Sequence, residues 1–334
     1  MKTGLDRLAS HWFAVARSSA MSTKPMRVVV FGNPLVLLRG NDGSPWVFED
    51  RCPHRGAALS RGRLTADGLS CAYHGWSYRA DGRCTTIPGC PSPESSGAIR
   101  LKSYAALERD GLVWISARAQ QPLPERITAL EPSNRRFLWQ TRWQASVLDV
   151  QENFLDALHT HTVHAGLVRS AKVRRPVQVT LRTTSDGFHV DYEGQATQSG
   201  ILYKLFEAPR TRERAYFSGL GVAQIEYRYA SQRVVWITLC CTPESDSSTH
   251  LFGMLHLENH WAPTWLIRLL VWPLVRRVAQ QDQAIVEHQQ RQRRDFPNSR
   301  DLVMPFDVVR PYLQYAWEGQ GEGLQAEVSR TLEL

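Results

Sequence analysis

An α+β protein is expected, with an all-β N-terminal unit ahead of a larger domain built on an antiparallel sheet. Up to residue 117, short apolar runs alternate with Gly, Pro and Asp turns. Residues 118–134 hold three prolines and no clear period, and beyond them alternating runs over 177–257 give way to one long helical stretch. At 334 residues, 43% hydrophobic and 22% charged, the chain has material for two ordinary cores. The expected division is a first domain at 10–117, a linker at 118–134 and a second domain at 135–334.

In the first domain the strand candidates are 26–31, 34–39, 46–48, 75–78 and 111–115. The second opens with a β-like stretch at 137–150, then turns helical over 151–159 and enters a loop with His164 and Gly166. Alternation marks strands at 177–181, 188–192, 222–229, 234–239 and 250–257. A helix follows at 264–294, with Pro273 as the place for a bend. There are no internal repeats and no low-complexity segments.

Polar residues interrupt every apolar run at the start of the chain, so a signal peptide is not expected and a cytoplasmic location is. The net charge of +8 comes from dispersed basic residues without a nucleic-acid motif, so nucleic acid is not an expected partner. Six cysteines are too few for a disulfide scaffold, and four lie between 52 and 90 beside histidines, which favours metal binding.

Cys52-Pro53-His54 and Cys71-Ala72-Tyr73-His74 read as C-x-H followed by C-x-x-H. Soft thiolates with imidazoles suit zinc or an iron–sulfur centre. In a Rieske [2Fe–2S] cluster one iron keeps two Cys and the other takes two His, so each loop must supply one of each, as both loops do here. Zinc is the alternative, though its sites usually pair cysteines at closer spacing. The segments CPHRGAALSRG and CAYHGWSYRADGRC resemble the Rieske motif of ring-hydroxylating and related oxygenases. Cys84, Cys90, Cys240 and Cys241 lack matching histidines and receive no role.

A second cluster lies in QENFLDALHTHTVH, residues 151–164. On a continuous helix His161 and His164 would face together, whereas His159 and His164 would stand about 140° apart at roughly 100° per residue. The resemblance selects otherwise: N-x-x-D-x-x-H-x₄-H, the mononuclear iron motif of Rieske oxygenases, falls on Asn153, Asp156, His159 and His164. Asp156, three residues before His159, is placed to receive that ligand's other ring N–H. By resemblance it also bridges to His74 of the partner subunit and carries the electron across.

Two histidines need a carboxylate to complete a facial triad. Asp282 stands alone in the apolar stripe Val275, Val278, Ala279, Ile285 and Val286, where an unpaired carboxylate is costly unless metal-bound or paired. A salt bridge to Arg276 or Arg294 is the alternative. Relatives often carry Glu-Asp there, and Gln281-Asp282 departs in its first residue. The remaining histidines stand without a second ligand.

The resemblance covers nearly the whole chain. It implies a Rieske domain and a helix-grip-like catalytic domain holding a [2Fe–2S] cluster and mononuclear Fe(II), with O₂ as co-substrate. It also implies an NAD(P)H-dependent reductase, acting directly or through a ferredoxin, and a homotrimer. The chain resembles the smaller α-only enzymes, so hydroxylation or oxidative demethylation of an aromatic, heterocyclic or alicyclic molecule is favoured over cis-dihydroxylation. A pure electron carrier is the rival from another class. Residues 261–277 hold three tryptophans and flanking arginines, which suits either a core helix or an interfacial stretch admitting a lipophilic substrate.

Overall fold

The computed structural model describes residues 4–90, 98–118, 135–170, 172, 174–194, 200, 209–257, 263–319 and 324–334. All but the first residue of the expected linker lies outside these. The chain divides into two compact units, Lys2–Arg126 and Ile127–Leu334, with Met1 grouped with the second.

The turn-rich N-terminal third folds into three small antiparallel sheets among the described residues. Phe13–Arg17, Leu112–Ser116 and Ala105–Arg109 form one, and Met26–Val30, Asn33–Arg39 and Pro45–Glu49 a second. The third runs Arg63–Thr65, Gly68–Ser70, Ser77–Tyr78 and Cys84–Thr86. Side chains from the last two sheets, among them Val36, Leu38, Phe48, Leu69 and Tyr78, bury one core that also takes in Cys52 and Cys71. The strands are short because Gly and Asp turns recur every few residues; what they position is two loops above this core.

The second unit is built on an eight-stranded antiparallel sheet. In spatial order its strands are Arg135–Trp143, Ser248–Leu257, Val234–Ser245, Val222–Tyr229, Arg210–Ser218, Gly187–Glu193, Pro176–Thr183 and Glu327–Glu333. Helices at Val147–Leu155, Thr264–Asp295 and Arg310–Glu318 complete it. Sequence alternation missed Arg210–Ser218 because its inward positions include charges. Glu213 is buried there with Arg210 donating to it at 2.8 Å. The β-like stretch at 137–150 is also corrected: the strand stops at Trp143, and Ser146 caps a helix by accepting the Asp149 N–H.

That helix is clamped. Ser146 donates to Asp149, which also accepts from Arg293 and, at 2.7 Å, from Arg310. Arg310 donates to Glu152 at 2.6 Å as well. Burial alone would raise the Asp149 carboxyl, but Arg293, Ser146 and Arg310 outweigh it and hold the group below its ordinary value. Three helices are thus tied by one buried carboxylate.

The Trp-rich stretch is largely solvent-facing. Trp265 is 67% and Leu269 64% exposed, while Trp272 turns inward with its ring 5.3 Å from that of Trp139. A fully buried core helix is therefore excluded for this segment; residues 261 and 262 lie outside the described ones. Among the described residues no helix is long and apolar enough to cross a membrane.

Candidate metal centres

The two Cys/His loops of the first unit share one backbone design. Cys52 N–H donates to Ala57 O and Gly56 N–H returns to Cys52 O; likewise Cys71 N–H donates to Trp76 O and Gly75 N–H returns to Cys71 O. Gly56 and Gly75 occupy the same place in each loop with φ of 75° and 69°, a conformation that strains any residue with a Cβ. The motif glycines therefore serve loop closure.

Both thiols are buried, at 2% and 4% exposure, while His54 and His74 face solvent with ring centroids 4.6 Å apart. Trp76 stacks parallel to His54 at 4.6 Å. Tyr78, wholly buried, places its hydroxyl 3.2 Å from Cys52 Sγ. Burial, then the Cys52 contact, pushes that hydroxyl far above its ordinary pKa, so it remains an O–H donor. Burial also raises the Cys71 thiol, a cost that a metal removes by taking the thiolate. Two buried sulfurs below two exposed imidazoles fit the Cys and His ends of a Rieske cluster.

In the second unit His159, His164 and Asp282 converge, each offering a ligand atom within 4.8 Å of the others. Convergence depends on the helix ending early. It stops at Leu155, Asp156 takes extended dihedrals, and a 3₁₀ turn over Leu158–His161 re-aims His159. Continuous-helix geometry does not apply, and His161 turns away to Ser170 O at 2.9 Å.

Asp282 Oδ1 lies 2.9 Å from His164 Nε2 and 3.3 Å from His159 Nε2. Among the described residues Oδ1 is nonetheless buried without a hydrogen-bond partner. Three inward lone-pair donors around an orphaned oxygen are what a 2-His-1-carboxylate metal site requires. Burial would raise the Asp282 carboxyl, but His159 and His164 outweigh it and hold it below its ordinary value. His164, opposed by burial, is raised by that carboxylate. Arg276 and Arg294 are exposed, and among the described residues no arginine pairs with Asp282. Of the expected stripe, Val286 is buried but Ile285 is 44% exposed.

Gln281 Oε1 sits 3.0 Å from His164 Nδ1. The expected Asp156–His159 hydrogen bond is not formed: among the described residues His159 Nδ1 is buried without a hydrogen-bond partner, and Asp156 instead accepts the Leu158 N–H at 3.1 Å. Burial lifts the Asp156 carboxyl, opposed by that N–H and by His159. Sequence reasoning assigned no part to Trp76, Tyr78 or Gln281. Only their places beside assigned ligands signalled them.

Residues 11–105 match the Rieske [2Fe-2S] domain family, and residues 143–313 match the vanillate O-demethylase oxygenase C-terminal domain family. The chain belongs to this family of Rieske oxygenases. Aminopyrrolnitrin oxygenase PrnD of Pseudomonas fluorescens is 36% identical over 171 residues, 48% of this chain and 47% of that protein. The 3-chlorobenzoate-3,4-dioxygenase oxygenase subunit of Comamonas testosteroni is 30% identical over 172 residues, 50% of this chain and 40% of that protein. This Rieske oxygenase chain thus spans under half the length of these two relatives. Crystalline dicamba monooxygenase bound to dicamba superposes with a TM-score of 0.79 at 21% identity, covering 93% of this chain and 97% of that one. Pseudomonas putida NdmA with caffeine gives 0.75 at 21%, covering 92% and 90%. These two likenesses show the shared fold.

Proposed function

We propose that the chain is the terminal oxygenase of a multicomponent system, with Cys52, His54, Cys71 and His74 holding the [2Fe–2S] cluster and His159, His164 and Asp282 holding Fe(II). The carrying observation is the convergence of those three side chains on a buried, hydrogen-bond-free Asp282 Oδ1. A pure electron carrier has no use for it. Iron bound there would supply O₂ activation with electrons from the cluster.

The chain's own residues do the rest. His159 and His164 direct Nε2 inward while Asp282 contributes one carboxylate oxygen. Asp282 lies between two apolar clusters on one helix. Val275, two turns before it, packs against the cluster of Phe137 and Leu255, and Val286, one turn after, belongs to the cluster of Trp143 and Leu239. That setting favours an apolar ring substrate. Hydroxylation or oxidative demethylation is preferred over cis-dihydroxylation, in line with relatives named as demethylases and monooxygenases.

Exposed Arg51, Arg55, Arg61 and Arg63 around the cluster loops favour an acidic electron donor, a reductase or its ferredoxin. The exposed run Leu302, Val303, Met304 and Phe306 is apolar surface suited to self-association, in keeping with a homotrimer. In such a trimer Asp156 would relay the electron from His74 of the partner subunit. Trp265 and Leu269 give a lipophilic substrate a surface to approach.

Iron and sulfide analysis with electron paramagnetic resonance of the reduced protein tests the reading. About three Fe and two sulfides per chain are expected, with a Rieske signal and loss of one Fe in His159→Ala and Asp282→Ala. Two Fe in all three proteins would establish the carrier instead.

A further inference from the structure

We infer that Gln281 is a positioning residue that sets the tautomer of His164 and thereby aims its Nε2 lone pair at the metal site. The inference rests on the mononuclear site proposed above. Gln281 and Asp282 are consecutive on the long helix, about 100° apart around its axis. From there they address opposite edges of one ring: Gln281 Oε1 lies 3.0 Å from Nδ1 and Asp282 Oδ1 lies 2.9 Å from Nε2. His164 is 2% exposed, so water does not compete for either nitrogen.

Two tautomers are available to a neutral imidazole. A proton on Nε2 would find no hydrogen-bonded acceptor, because Asp282 Oδ1, 2.9 Å away, is without a hydrogen-bond partner among the described residues. The proton therefore belongs on Nδ1, donated to the Gln281 carbonyl, and the Nε2 lone pair is left for a metal. An amide accepts this proton without adding charge, so His164 stays a neutral ligand. A glutamate in its place would accept equally but make the ring more basic.

The two histidines are thus unequally held. Among the described residues His159 Nδ1 is buried without a hydrogen-bond partner, so its ring lacks the restraint that Gln281 gives His164. Removing the Gln281 acceptor frees His164 Nδ1 as well and lets the proton move to Nε2, where it blocks coordination.

The test titrates the cluster-loaded full chain, stripped of mononuclear metal, with Fe(II) under argon and separately with Co(II). Wild type, Gln281→Leu, Gln281→Glu and Asp282→Asn are compared. Gln281→Leu should weaken both metals about 10–100-fold and shift the Co(II) ligand-field bands, and Gln281→Glu should restore tight binding. Leucine matches glutamine in bulk, and an unchanged cluster spectrum and unfolding midpoint identify folded variants. Wild-type affinity and Co(II) bands in Gln281→Leu would overturn the inference, as would failure of Gln281→Glu to restore binding. Wild type binding no more metal than Asp282→Asn would instead remove the mononuclear site, and this inference with it.

Discussion

Replacing Tyr78 by Phe isolates one interaction with the cluster loops. The hydroxyl lies 3.2 Å from Cys52 Sγ, is wholly buried, and is kept protonated by burial and the neighbouring thiol. In a loaded cluster the sulfur is a thiolate, so the O–H donates. Reduction adds negative charge that the donor stabilises, and a hydrogen bond of this kind contributes about 1–1.5 kcal/mol to that difference. For a one-electron couple about 59 mV corresponds to roughly 1.4 kcal/mol, so Tyr78→Phe should lower the reduction potential by about 40–60 mV. Phe retains the ring and its packing in the core with Leu69 and Cys84. Redox titration of the reduced-cluster resonance measures the shift. An unchanged or raised potential in a variant with wild-type iron and sulfide content would refute the reasoning.

Other consequences follow from the clamp, from a buried histidine and from the relay carboxylate. Arg310→Met leaves Asp149 with Arg293 and Ser146 and takes from Glu152 its arginine, so chemical denaturation should show a loss of about 2–3 kcal/mol, less than for a buried pair broken outright. His250 is held neutral by burial, aided by Arg142, with its folded-state pKa lowered from 6.5 to about 4. Below pH 6.5 the unfolded chain takes up a proton that the fold refuses. This histidine's contribution of up to about 3 kcal/mol should therefore be lost between pH 6.5 and 4, and His250→Gln should make the fall in stability over that window shallower in pH-dependent unfolding. Asp156→Asn should retain all iron yet slow turnover about 10–100-fold in coupled oxygen-uptake assays; wild-type turnover would remove Asp156 from the electron path.

In the second unit two strands escape the alternation, for distinct reasons. Arg210–Ser218 hides its inward face behind Arg210 and Glu213, which neutralise each other only once folded. Glu327–Glu333 is an exposed edge strand, recruited by its ladder to Pro176–Thr183 rather than by an apolar pattern. The strand at 188–192 is legible because Phe188, Val190 and Tyr192 alternate on its buried face, and the one at 222–229 because Ala223, Ile225, Tyr227 and Tyr229 keep a period of two although Glu226 is buried.

The sequence by itself determined the α+β class and the paired Cys52/His54 and Cys71/His74 loops, because ligand chemistry is a property of residue type and spacing; it offered His159, His161, His164 and Asp282 as further candidates, and the resemblance to the Rieske oxygenase motif, against continuous-helix spacing, selected His159 over His161. Tertiary structure decided how those ligands are held. Where the helix stops, that His161 turns to Ser170, that Asp156 bonds Leu158 rather than His159, and that Gln281 reaches His164 all depend on contacts between segments distant in the chain or on local backbone geometry. Such contacts have no periodic signature, since they exist only after the long helix has packed beside the 151–164 segment and brought residues more than a hundred positions apart to hydrogen-bonding distance.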